Sequence, residues 1–173
     1  MNRRPQIALL ADGKRLHLQD GPIDLIVEAN GREADVCAAY EAAADRFTGL
    51  LDELCGELVE LRKTADPVRT ALQGVVARRM HAAVAPFAAQ EFITPMAAVA
   101  GSVAQEILGA MLAVAPLERA YVNNGGDIAL HLSGREQFSV GLMDRPDAQG
   151  VMRLVTVDAS GSQWVGEGAR RRR

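Results

Sequence analysis

The chain has 173 residues, which suits one domain of ordinary size that buries roughly 70% of the surface of its unfolded chain. Its formal charge of −3 includes four arginines at the end, Arg170 to Arg173, and the other 15 basic residues face 22 acidic ones, a balance of −7. An acidic body of this kind argues against a nucleic-acid-binding surface.

The first 30 residues predict three strands. Residues 6 to 19 form a predicted hairpin, because apolar residues alternate on both sides of the turn signal Asp12-Gly13-Lys14. A third strand is predicted from Ile23 to Ala29. His17 lies on the polar side of the second strand, so we interpret it as a solvated residue and not as a ligand.

A long helix is predicted from about Glu33 to Lys63, with Asn30 as its candidate N-cap. One stripe of this helix is apolar and is predicted to pack against a sheet; it comprises Phe47, Leu50, Leu51, Leu54, Leu58 and Leu61. The opposite side is acidic and is interpreted as solvated; it carries Asp52, Glu53, Glu57 and Glu60. Asp66-Pro67 breaks the helix, because a residue before proline avoids the helical region.

Both cysteines fall in this predicted helix. Cys37 and Cys55 are 18 residues apart, which at the helical rise is about 27 Å, so they cannot form a disulfide with each other. Neither has a His or Cys neighbour at metal-ligand spacing. We therefore predict buried structural thiols.

Two further helices follow. Residues 68 to 86 predict a helical stretch whose basic residues we interpret as counter-charged surface or as phosphate contacts; they are Arg69, Arg78, Arg79 and His81. Thr94-Pro95 predicts a helix start, with Thr94 as N-cap. The first turns after it carry almost no side chain, at Ala97, Ala98, Ala100, Gly101, Ser102 and Ala104. This pattern predicts either tight packing on a sheet or close approach of a flat ligand, and the N–H groups at the helix start favour an anion.

Residues 95 to 116 are almost uncharged, but Gln105 and Glu106 lie in their middle. A carboxylate near the centre of a membrane span costs about 2.5 kcal/mol or more on insertion scales. We therefore predict a buried helix of a soluble protein and no membrane partner. The first residues lack the apolar run of a signal peptide, so cytoplasmic localisation is expected.

After Pro116 the pattern predicts strands again, at 119–123, 127–133, 137–143 and 151–157. Short links between sequential strands favour antiparallel pairing. The order of strands, helices and strands predicts an α+β fold with antiparallel sheet packed against a long amphipathic helix and a small-residue helix. We predict one domain over residues 1–159 and a disordered or aberrant tail over 160–173, where glycines and arginines replace any apolar periodicity.

The stretch Asn123-Asn124-Gly125-Gly126-Asp127 lies between two predicted strands and allows two interpretations. Asn-Gly is the strongest short hairpin signal, because its turn needs positive φ. Alternatively, the two glycines let backbone N–H groups approach a ligand, with Asp127 binding a hydroxyl or a cation. His131 lies on the same strand face as Asp127 but about 13 Å away, so they cannot form an acid–base pair. The sequence carries no Walker or Rossmann loop and no HExxH motif.

Four segments together resemble a branch of the ApbE-like superfamily that is related to the FAD:protein FMN transferases. They are GPIDLI (21–26), RFTGLLDELCGELVELR (46–62), TPMAAVAGSVAQEIL (94–108) and VNNGGDIALHL (122–132), and the resemblance covers about residues 5 to 155. In the transferases a helix of small residues and a GGD corner about two dozen residues later form the flavin dinucleotide site. Gly101 and Gly125 have that separation here.

The resemblance implies a site for FAD or FMN. It implies binding by Thr94, Gly101, Ser102, Asn124, Gly125, Gly126 and Asp127, with Asp127 as a candidate magnesium ligand. The transferases use magnesium to move FMN from FAD onto a threonine of a partner protein. Where their helix motif carries a lysine and an aspartate, this sequence has Ala100 and Gln105, so no catalytic residue is assigned.

The resemblance also implies a C-terminal segment with an Asp and a Thr that bind magnesium. The change of composition near Ser160 instead suggests a truncated or frameshifted end. Such an end would expose apolar surface, which a homodimer is expected to cover. Two other functions stay open. One is an enzyme acting on another small anionic or heteroaromatic metabolite; the other is a structural or interaction protein with a vestigial pocket.

Overall fold

The computed structural model describes residues 4–142, 153–158 and 161–165. The strands are β1 (Gln6–Leu9), β2 (Leu16–Asp20), β3 (Ile23–Asn30), β4 (Arg119–Asn124), β5 (Asp127–Leu132), β6 (Gln137–Leu142), β7 (Arg153–Asp158) and β8 (Gly161–Val165). The helices are α1 (Glu33–Phe47), α2 (Leu50–Gly56), α3 (Leu58–Leu61), α4 (Val75–Val84) and α5 (Val99–Val114), and the 3₁₀ helix Pro95–Ala98 directly precedes α5.

The first five strands form one antiparallel sheet in the order β1-β2-β3-β4-β5. One face of this sheet carries the alternating apolar residues of β2, β3 and β4, which are buried under the helices; they include Leu16, Leu18, Leu25, Val27 and Val122. The α+β class and the antiparallel sheet packed against helices are thereby confirmed. In the part of the chain that the structure describes, all the helices lie between β3 and β4, although these two strands are neighbours in the sheet.

Strands β6, β7 and β8 form a second antiparallel sheet. It meets the first at Phe138, whose ring packs edge-on against Tyr121 with 6.0 Å between ring centroids and lies 5.3 Å from the Arg119 guanidinium carbon. Strand β8 falls inside residues 160–173, the predicted tail. The rest of that range, and residues 143 and 151–152 of two predicted strands, lie outside the described residues.

The prediction of one helix from Glu33 to Lys63 is wrong. The helix ends at Phe47, because Thr48 is extended and Gly49 has a φ of +84°, which the α-helix does not allow. The Thr48 hydroxyl donates to the Ala44 carbonyl at 3.0 Å and holds the chain at this break. The proposed N-cap is also wrong, since Asn30 is the last residue of β3 and Arg32 occupies the cap position.

The second predicted helix is shorter than residues 68–86, because α4 begins only at Val75. The Asp66 carboxylate accepts the backbone N–H groups of Val68 and Arg69, both at 2.8 Å, and so holds residues 66–69 in a loop. The Glu57 carboxylate accepts N–H groups from Gln73 at 2.6 Å and Gly74 at 2.7 Å, directly before α4. Glu57 is therefore a capping residue for another helix, and its interpretation as merely solvated is wrong.

Both cysteines are exposed, so the prediction of buried thiols is wrong. Cys55 follows the buried Leu54, and one residue along a helix turns the side chain by about 100°, away from the stripe that faces the sheet. Cys37 lies on α1 two residues before the buried Ala39. Both thiols are thus open to reagents.

The helical segment Pro95–Val114 is long and apolar enough, by length and composition, to cross a membrane, a test that core helices also pass. In this fold α5 packs against α1, α4, β4 and β5. Its buried residues join the main core, among them Val103, Ile107 and Met111.

Candidate functional site

The hairpin between β4 and β5 has a two-residue turn. Asn124 lies opposite Asp127, and Gly125 and Gly126 connect them with φ values of +61° and +109°. The Gly126 N–H donates to the Asn123 side-chain oxygen at 2.9 Å. Apart from the adjoining residues of the chain, no heavy atom of the described residues lies within 4 Å of where a Cβ would be at either glycine. The predicted hairpin is confirmed, and its glycines are required by backbone conformation and not by lack of space.

The hairpin is bound to the start of α5. Val122 and Ala129 are buried on the sheet face that carries α5, and Asn124 and Asp127 continue that face to the end of the sheet. The Asn124 amide nitrogen donates to the Ala100 carbonyl at 3.2 Å. A Cβ added to Gly101 would lie 3.9 Å from the Asp127 carboxylate. Five of the seven predicted site residues therefore lie together on the two sides of the gap between the hairpin and the small-residue helix; they are Gly101, Asn124, Gly125, Gly126 and Asp127.

The other two predicted site residues are Thr94 and Ser102, and within the described residues neither side chain forms a hydrogen bond at this gap. Thr94 occupies the N-cap position of the 3₁₀ helix, but its side chain makes no capping hydrogen bond. Its carbonyl already accepts the Ala97 N–H at 3.1 Å, which uses one of the donors expected to hold an anion. Ser102 is buried, and its carbonyl accepts a hydrogen bond from Arg79 at 3.1 Å. His131 is partly buried, and its Nε2 forms a hydrogen bond with the Leu117 carbonyl at 3.1 Å.

An apolar cavity of about 480 Å³ lies beside the hairpin. Its walls come from the leucines of α2 and α3, from the start of β3, and from residues 96–100 with Asn124; the lining residues are Pro22, Ile23, Leu51, Leu54, Cys55, Leu58, Leu61, Arg62, Met96, Val99, Ala100 and Asn124. Cavities of about 300 to 1,000 Å³ with apolar walls and few polar groups are typical of small-molecule sites. Of the seven predicted site residues, Asn124 alone lines it.

The sequence does not predict the cavity, because the residues of its wall have the same periodic pattern as a buried core. Phe47, Leu50, Leu54 and Leu61 of the predicted stripe are buried, as expected. Leu51 and Leu58 belong to the same stripe but are only partly buried, and both line the cavity. A periodic pattern cannot tell a leucine against a cavity from a leucine against another helix.

Asn124 supplies the cavity with a fixed polar group. Its amide nitrogen is bound to the Ala100 carbonyl, and within the described residues its amide oxygen accepts no hydrogen bond. A ligand with an N–H or O–H group at this point therefore finds an oriented acceptor in an otherwise apolar wall.

An ion-pair cluster fixes α5 against the neighbouring helices. Glu106 accepts hydrogen bonds from Arg46 of α1 at 2.7 Å and pairs with Arg79 of α4 at 2.8 Å, and Arg46 also bonds Glu53 at 3.1 Å. Burial by itself raises the pKa of the Glu106 carboxyl, but hydrogen bonds from both arginines outweigh it and lower the pKa below its ordinary 4.5. The interpretation of Arg79 as a phosphate contact is not supported, because its guanidinium is already paired with the Glu106 carboxylate.

The described residues around Asp127 do not fit a magnesium site. Magnesium takes several oxygen ligands in nearly octahedral geometry. Within the part of the chain that the structure describes, no three or more His, Cys, Asp or Glu side chains come together to hold a metal ion. Asp127 itself is exposed at the hairpin end.

Comparison with known proteins gives a match to a protein family. A sequence model of the family described as AbpE bacteria matches residues 7–166, which include every strand of the first sheet except the first residue of β1, all the helices and the cavity. A search of the curated proteins finds no match.

Proposed function

This chain belongs to the family described as AbpE bacteria, and we propose that it binds a flavin nucleotide, FAD or FMN, with the flavin ring in the apolar cavity. The observation that carries the proposal is the cavity of about 480 Å³ between the leucines of α2 and α3 and the hairpin that carries Asn124. The resemblance of this sequence to relatives of the FAD:protein FMN transferases supports the choice of ligand.

The chemistry of the walls suits a flat heteroaromatic ring. The aliphatic side chains of Leu51, Leu58 and Met96 offer contact to its faces, and removal of the ring from water supplies most of the binding energy. Asn124 offers one amide oxygen to an N–H at the ring edge. Ala100 has only a methyl side chain and therefore leaves space for the ring beside α5.

The sugar and phosphate part of the nucleotide would extend from the cavity toward solvent. Gly101 and Asp127 lie beside Ala100 and Asn124, so the Asp127 carboxylate is available for a ribityl or ribose hydroxyl. Thr94 and Ser102 are not assigned a contact, because one makes no side-chain cap and the other is buried. The proposal concerns binding and assigns no residue to FMN transfer, because Ala100 and Gln105 stand where the transferases carry a lysine and an aspartate.

The test is a fluorescence titration of FAD and FMN with the purified protein, whose fold is checked by circular dichroism. Ala100→Leu adds a side chain to the cavity wall and is expected to weaken binding about tenfold or more, which corresponds to about 1.4 kcal/mol. Ala113→Leu makes the same change at an exposed position near the end of the same helix and is the matched control. No binding by folded protein at high micromolar flavin refutes the proposal.

The two cysteines give an independent readout. Cys55 lines the cavity, whereas Cys37 is exposed elsewhere on the first helix. Bound flavin should slow alkylation of Cys55 and leave Cys37 unchanged, as measured by mass spectrometry. An alkylation rate of Cys55 that saturating flavin leaves unchanged would place the ligand outside this cavity.

A second ligand class is favoured by the small number of polar groups in the wall. Among the described residues, the lining offers only the Cys55 thiol and the main chain besides Asn124 and Arg62. Another small anionic or heteroaromatic metabolite fits such a wall equally well. Melting-temperature shifts across a metabolite panel separate the cases, because a ligand at 100 times its Kd stabilises by about 2.7 kcal/mol.

A further inference from the structure

Arg62 is the charged residue that lines the apolar cavity. It follows α3 directly, with its N–H bonded to the Leu58 carbonyl at 3.1 Å, so its backbone is fixed at the cavity wall. Its side chain is exposed, and no acidic side chain of the described residues pairs with it. The next basic residue, Lys63, is paired with Glu60 at 2.5 Å, which leaves Arg62 as the available cation at this edge.

We infer that Arg62 binds the phosphate of a nucleotide whose ring occupies the cavity, and so selects phosphorylated over neutral ligands. The inference rests on the proposed function. A guanidinium presents a planar fork of donors that matches two phosphate oxygens. Because Arg62 is both exposed and unpaired within the described residues, a phosphate does not have to displace an existing carboxylate. Arg46 and Arg79, by contrast, are already held by Glu106.

Riboflavin and FMN form the matched ligand pair for the test, because they share the ring and the ribityl chain and differ only in the phosphate. The native protein should bind FMN about tenfold more tightly than riboflavin, a ratio appropriate to one charge-assisted contact near the surface. Arg62→Gln should remove this preference by weakening FMN about tenfold and leave riboflavin within about twofold. Raising the salt concentration should weaken FMN binding to the native protein more than riboflavin binding.

Arg78→Gln is the matched control, since it removes one exposed arginine of α4 that does not line the cavity and gives the same net charge. It should leave both affinities unchanged. Equal affinity of the native protein for the two flavins, or an equal effect of the two substitutions, overturns the role of Arg62 while the flavin proposal stands. Failure of both flavins to bind overturns both. A change of oligomeric mass in Arg62→Gln with unchanged FMN affinity would assign Arg62 to contact with a second copy, and also overturns the inference.

Discussion

Replacing Glu106 by glutamine should destabilise the fold, because this carboxylate joins three helices. Its side chain is 15% exposed, and it pairs with Arg46 and Arg79, which are 27% and 32% exposed. Glutamine keeps the size of the side chain but offers one acceptor oxygen in place of two. One arginine then faces an amide group that donates and cannot accept.

The burial of the cluster sets the expected magnitude. Exposed ion pairs contribute about 0 to 1 kcal/mol, and breaking a fully buried pair costs about 3 to 5 kcal/mol. A cluster that is mostly but not fully buried falls between these limits, so Glu106→Gln should lower the free energy of unfolding by about 2 kcal/mol. For a chain of this size the melting temperature should fall by about 4 to 8 °C.

The assay is urea unfolding of the native protein and the variant at pH 7, followed by circular dichroism. Glu136→Gln is the matched control, because Glu136 pairs with Arg119 at 4.0 Å on the exposed surface. It should cost less than about 0.5 kcal/mol. A cost for Glu106→Gln no larger than that of the control would refute the structural reasoning.

The pH dependence provides a second check with a definite sign. The pKa of Glu106 is lower in the folded state than its ordinary 4.5, so the carboxyl stabilises the fold above that pH and loses this contribution as the pH falls through the lowered value. The difference in stability between native protein and Glu106→Gln should therefore be full at pH 7 and shrink in the acid range. An undiminished difference where both proteins are still folded in acid would contradict the assignment.

Three further substitutions test the turn, the cap and the small-residue helix. Gly125→Val should cost about 1 to 2 kcal/mol through its positive φ, whereas Gly125→Asn should cost less, and urea midpoints measure both. Glu57→Ala should cost about 1.5 kcal/mol by removing the acceptor of two N–H groups before α4, against an exposed Glu91→Ala control that changes little. Gly101→Ala should stabilise α5 by up to about 1 kcal/mol, because the new Cβ meets only the Asp127 carboxylate, at 3.9 Å. A simultaneous rise in the flavin Kd would show that the ligand passes over Gly101.

The sequence by itself determined the elements whose signals are local. The hairpins at Asp12-Gly13-Lys14 and at Gly125-Gly126 follow from turn chemistry over two to four residues, and the strand alternation of β2 and β3 follows from a period of two. The start of a helix at Pro95 also follows from the residues on either side of it. These patterns depend only on residues that are close in the chain, so the elements can be predicted without knowledge of the tertiary structure.

Only the tertiary structure decided which of these residues face a cavity. Leu51 and Leu58 share a periodic stripe with the buried Leu54, yet they line open space because the break at Gly49 and the separate short helix α3 leave a gap opposite the hairpin. The partners of Glu57 and Glu106 are likewise set by how distant helices pack. Burial and ion pairing are properties of contacts between segments far apart in the chain, and no local period encodes them.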